Sequence, residues 1–241
     1  MATHALHWLY IDSVLAFNDA FNPENLGIRL IMISREIRET IRAAIRNEEE
    51  THRLRSRLER QLPQLQEKLI LPEQDPISAL MAFISGYVKS VPSCLRLVTA
   101  VSKRMGFFDY AAPFLHLAED YFVQPPDDLP HDGGLEALLD EAFLALRLLE
   151  EVNDHHIRHL GRPLLPLDMT EANTIVHHLL GDDFATRMEQ LVQFTAERLL
   201  HREHMWEQVR DMPGRTESAK PLFTSDDLTE PAVNIRLRLA S

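Results

Sequence analysis

Glu48, Thr51, His52 and Arg55 lie within the stretch RNEEETHRLR, residues 46–55. They place a carboxylate, a hydroxyl, an imidazole and a guanidinium three or four positions apart, a set able to bind a metal or move a proton. At about 100° per residue this spacing puts all four on one helix face. That face is otherwise apolar: Leu30, Ile33, Ile37, Ile41 and Ala44 precede them on it, and Leu58 and Leu62 resume it. Glu49 and Glu50 fall off the stripe and are expected to meet water. An inward carboxylate or histidine without a partner is costly, so Glu48 and His52 must be paired, liganded or wet.

A second polar interruption falls in residues 135–160. Leu135, Leu139, Ala142, Leu146 and Leu149 make an apolar stripe that Asn153, His156 and Leu160 continue, while Glu151, Asp154 and His155 are expected to point away. His116 and Glu119 lie on the flank of a face drawn through Phe114, Leu117, Ala118 and Tyr121.

Three readings of these residues are open. The interior polar candidates are Glu48, Thr51, His52, Arg55, Asn153 and His156; in the first reading they need no cofactor, Glu48 and Arg55 pairing with polar groups on other helices and His52 being a satisfied interior histidine. In the second, Glu48, His52 and His156 ligate one iron, manganese or zinc ion, with Arg55 or Asn153 orienting a substrate. A di-metal bundle fits poorly, because it needs two Glu-x-x-His pairs and only Glu49–His52 has that spacing. In the third, Met81, Phe83, Tyr87, Phe107, Phe108, Phe114, Tyr121 and Phe122 surround a small apolar ligand rather than fill a core.

Other histidine clusters, His155, His156 and His159 in DHHIRH and His201 and His204 in HREH, have ligand-like spacing. The stripe through Phe184, Met188, Leu191, Thr195, Leu199, Trp206 and Val209 turns His201 and His204 outward, near a helix C-terminus that favours histidine. Cys94, in VPSCLRL, sits in an apolar helix where a thiol is inert, and no serine occupies a sharp strand-to-helix turn.

The elements that must position these residues are helices. Helical periodicity and caps predict helices over about 4–21, 24–61 with a weak continuation to 71, 76–90, 92–106, 109–123, 135–160, 168–181 and 182–211. Asn22–Pro23 and Asp75–Pro76 are start signals, and Asp168 with Glu171 forms a capping box. No strand is predicted before residue 213. The expected fold is all-α: about eight helices in a multi-helix bundle, with the second, sixth and eighth as three long near-antiparallel members. Residues 1–212 are expected to form one helical domain, with QPPDDLPHDGG at 124–134 as a subdomain break or functional loop.

The last segment differs. After MPGRTESAKP the chain ends AVNIRLRLAS, where Val233, Ile235, Leu237 and Leu239 alternate with other residues at period two. A lone strand cannot satisfy its own backbone. Residues 213–241 are therefore read either as an irregular terminus or as an extended tail that docks on a partner, including a second copy of the chain.

Composition narrows the function classes. With 37 acidic against 25 basic residues, the net charge of −12 argues against binding a phosphate backbone. One cysteine excludes an intramolecular disulfide, and MATHALHWLYIDS lacks the features of an export signal, so a cytoplasmic location is expected. Residues 76–106 are apolar but carry Lys89, Pro92 and Arg96, which argues for buried helices rather than a membrane span. The leading expectation is a self-associating, all-helical interaction or regulatory protein without a complete catalytic constellation. A metal-dependent helical oxidoreductase is the alternative, and a sensor of small apolar ligands the third.

Overall fold

The computed structural model describes residues 23–123, 134–161, 163–200, 220–221 and 235–238. The fold is all-α, with seven helices among the described residues: α1 Pro23–Thr51, α2 Arg53–Lys68, α3 Pro76–Met105, α4 Phe108–Val123, α5 Leu135–Leu160, α6 Thr170–Leu180 and α7 Asp182–Leu200. The expected helix over 4–21, His201, His204, Val233, Leu239 and most of the 124–134 loop lie outside the described residues.

The α5 helix is the axis. It packs against α1, α3, α4, α6 and α7, and its residues from Leu135 to Asn153 are nearly all buried, as expected of a helix enclosed on every side. Its apolar residues join one core cluster running from Ile37 to Ile235. Phe83, Tyr87, Phe107, Phe108, Phe114, Tyr121 and Phe122 belong to that core, with Met81 packed against it.

Two expected boundaries differ. The predicted long helix over 24–61 breaks at His52, whose backbone is left-handed at φ 51°. Conversely, the predicted helices 76–90 and 92–106 are one helix of 30 residues, α3, which continues through Pro92. Proline removes one helical hydrogen bond, and here Val88, Val91, Pro92 and Leu95 are all buried around the site, so packing outweighs that loss. The start of α3 is as read: Asp75 accepts a hydrogen bond from the Ser78 backbone N–H at 3.1 Å, with Pro76 at the first helical position. α3 is long and apolar enough to cross a membrane, but more than half of that stretch is buried inside the fold.

Among the described residues, two strands precede residue 213, against expectation. Each is two residues long, too short for visible alternation, and each exists because the C-terminal segment pairs with it. β1 (Leu69–Ile70) is antiparallel to β4 (Arg236–Leu237), and β2 (Leu167–Asp168) is parallel to β3 (Lys220–Pro221). The Arg238 N–H adds a bond to the Lys68 carbonyl at 2.8 Å. Ile235 is buried and Leu237 packs against the same core, so this part of the tail is seated on its own chain.

Candidate functional site

At residues 46–55 the stripe stops because the helix stops. Glu48 continues the buried face of Ile37, Ile41 and Ala44 and is itself 6% exposed. Its carboxylate accepts the Leu54 N–H at 3.0 Å through Oε2 and the Arg55 N–H at 2.9 Å through Oε1. These are among the first N–H groups of α2, which have no partner inside their own helix. His52 is shared by both helices: its N–H donates to the Glu48 carbonyl at 2.8 Å, and its carbonyl accepts from Ser56 N–H at 3.0 Å.

The left-handed residue also resets the helical phase. Leu54, Leu58 and Leu65 are buried in α2, whereas Thr51 and His52, expected inside, are exposed. The Thr51 hydroxyl donates to the Asn47 carbonyl at 2.8 Å. Arg55 is half-buried, 3.5 Å from Glu59 and 4.0 Å from Asp75, rather than on an inward face.

Asn153 and His156 are buried on α5, in the direction the wheel indicates. Asn153 Oδ1 accepts the Leu164 and Leu165 N–H groups, both at 2.9 Å, and so ties the chain after α5 to the helix. His156 lies with Nδ1 2.7 Å from the Val152 carbonyl and its ring edge-on to Tyr110, centroids 5.3 Å apart. Cys94 is buried, and burial pushes its thiol up to about 12.

The trio Glu48, His52 and His156 does not converge. Glu48 spends both oxygens on α2, His52 faces out and His156 faces in. Among the described residues, the three side chains that bring ligand atoms within 4.8 Å of one another are His177, His178 and Asp182. The expectation failed because a wheel carried through His52 assumed one continuous helix.

A second polar assembly, not evident from the stripes, centres on Arg147. Its guanidinium reaches Glu150 at 3.1 Å, Glu151 at 3.3 Å and Glu189 of α7 at 3.8 Å. Glu151, expected to point away, is buried and also binds Arg158 at 2.7 Å. Glu150 accepts from Asn173 Nδ2 of α6 at 2.5 Å, and Asn173 Oδ1 accepts from the Tyr87 hydroxyl of α3 at 2.7 Å. Outward, Glu189 meets His177 Nδ1 at 3.0 Å. His177 Nε2 is 3.6 Å from Asp182, which Lys68 of α2 grips at 2.7 and 2.8 Å. The path runs from a buried tyrosine to the surface and crosses α3, α6, α5, α7 and α2. Arg147 in LALRLLEE, three and four residues before two glutamates, was the available signal.

Burial raises three carboxyls of α5, Glu141, Glu150 and Asp154. Burial raises the pKa of Glu150, against the opposing pull of Arg147. Burial, reinforced by Asp140, raises Glu141 from 4.5 to about 8. A carboxyl raised in the folded state binds its proton more tightly there than when unfolded. Its contribution is thus full below about pH 4.5 and lost as pH rises through about 8. Glu141→Gln should therefore flatten the dependence of the melting temperature between pH 5 and 8 and raise it by several degrees at the alkaline end, as scanning calorimetry at a series of pH values would record. An unchanged slope would mean that Glu141 ionises as freely in the fold as outside it.

Fold and site together define an all-α helical bundle protein with a buried ionic network. No protein-family model, curated protein or solved structure matches the chain.

Proposed function

We propose that this is a non-catalytic helical interaction or regulatory protein that self-associates, with its C-terminal segment as the exchangeable element. The observation that carries the reading is how that segment is held. Two-residue pairings with Leu69–Ile70 and Leu167–Asp168, the Arg238 to Lys68 bond and the side chains of Ile235 and Leu237 attach it to the body. The same contacts would form unchanged if the strand came from a second copy, so exchange would sacrifice no contact of the closed form. The roles of Glu48 and Asn153 support the reading, since both bind the backbone of the segment that follows them.

Sedimentation velocity over micromolar to sub-millimolar concentrations tests it. The full chain should sediment as a dimer or larger. Ile235→Asp, which puts a charge where the strand is seated, should sediment as a monomer with its helical circular dichroism retained. The chain lacking residues 213–241 should do the same. A monomeric wild-type chain, or variants that associate as it does, would contradict the proposal.

A further inference from the structure

We propose that the corner between α6 and α7 is a binding site for a zinc-class divalent cation, with His177 Nε2, His178 Nδ1 and Asp182 Oδ1 as ligands and Glu189 as the orienting partner of His177. The inference is independent of self-association and concerns residues outside the metal set expected from the sequence.

Local structure builds the site. His177 and His178 end α6, and Gly181, at φ +91°, turns the chain so that α7 begins at once with Asp182. His177 Nε2 and His178 Nδ1 then stand 3.6 and 3.7 Å from the same Asp182 oxygen. Both gaps are long for a hydrogen bond. Zinc bonds of about 2.0–2.2 Å in a tetrahedron set neighbouring donors about 3.3–3.5 Å apart; the two distances to Asp182 are within a few tenths of an ångström of that, and all three donors lie within 4.8 Å of one another.

The surroundings point to a cation as well. Glu189 lies 3.0 Å from His177 Nδ1 and is itself held by Arg147. A carboxylate accepting a hydrogen bond from Nδ1–H leaves the Nε2 lone pair free for a metal, the arrangement that orients metal-binding imidazoles. His178 Nδ1 is buried without a hydrogen-bond partner. Two imidazoles and one carboxylate, with a fourth position for water, form a donor set suited to zinc.

Lys68 makes the proposal distinctive. Its ammonium sits on both Asp182 oxygens and supplies the positive charge there. A divalent ion on Oδ1 has to share or displace it, so Lys68 is the built-in competitor.

The test is Zn2+ titration of the untagged full-length chain by isothermal calorimetry, repeated with Co2+, whose visible spectrum reports tetrahedral coordination. One site per chain is expected. His177→Ala and Asp182→Asn should abolish it, Glu189→Gln should weaken it about ten- to a hundredfold, and a His155→Ala/His159→Ala variant should bind as the wild type does. Lys68→Met should bind several-fold tighter, a gain that misfolding cannot produce. Binding that survives His177→Ala, falls with His155 and His159, or is no tighter in Lys68→Met would identify an adventitious ion only and overturn the proposal.

Discussion

Arg147→Met should lower the unfolding free energy by about 3–5 kcal/mol, the loss expected when one partner of a buried ion pair is removed and the other stays. Methionine keeps much of the aliphatic volume, so the loss is chiefly electrostatic. The Arg147 side chain is 14% exposed and that of Glu150 is 9% exposed. Without the guanidinium, Glu150 keeps its bond to Asn173 but loses its counter-charge, whereas Glu151 still has Arg158.

Loss of the guanidinium also leaves a pH signature. Glu150 is raised by burial in the wild type, and losing the pull of Arg147 raises it further. Its stabilising contribution is then complete below the unfolded carboxyl range and falls as pH rises through the folded value. The deficit of Arg147→Met should narrow on acidification as Glu150 takes a proton, and adding Glu150→Gln should restore part of the stability. Urea unfolding at two pH values measures both effects. A deficit indifferent to pH and to Glu150→Gln would show that Arg147 acts through packing alone.

Glu48→Ala has the second large expected effect, about 2–4 kcal/mol. It strips the cap from two N–H groups of α2, one of them on buried Leu54, and charge-assisted bonds to buried donors exceed an ordinary surface cap in strength. Glu48→Gln should fall between, because an amide offers one acceptor oxygen instead of two. His52→Gly should move the other way. Histidine at φ 51° bears the strain that glycine escapes, a gain only partly offset by the greater freedom of glycine in the unfolded chain. The net expectation is a stabilisation of up to about 1 kcal/mol.

Much of the fold was legible in residue patterning. Asp75–Pro76 starts α3 as such a pair should, Gly161 and Gly181 close α5 and α6, and the wheel directed Glu48, Asn153 and His156 inward. What was hidden shares a cause. His52 carries none of the usual break signals of glycine, asparagine or proline, and its left-handed conformation follows from packing and from the Glu48 cap on the helix beyond. Pro92 looked like a start signal because local propensity favours one, and burial on a long core helix overrode it.

The polar assemblies were hidden for the same reason at longer range. Arg147 interrupts an apolar run, and periodicity gives it a direction but no partner. Its link to Glu189 and onward to His177 exists only once α6 and α7 fold against α5. The corner His177–His178–Asp182 depends on a turn at Gly181 that a wheel drawn for either helix alone cannot represent. Period two in the tail was visible, whereas its partner, Leu69–Ile70, was too short to announce itself.

The central claim is that the polar break at residues 46–55 is a capped junction between two helices rather than a ligand site. Urea unfolding of Glu48→Ala and His52→Gly, measured side by side, tests it most directly. A large loss is expected for the first and none, or a small gain, for the second. Comparable losses in both would contradict it, because they would mean that His52 works inside the fold together with Glu48.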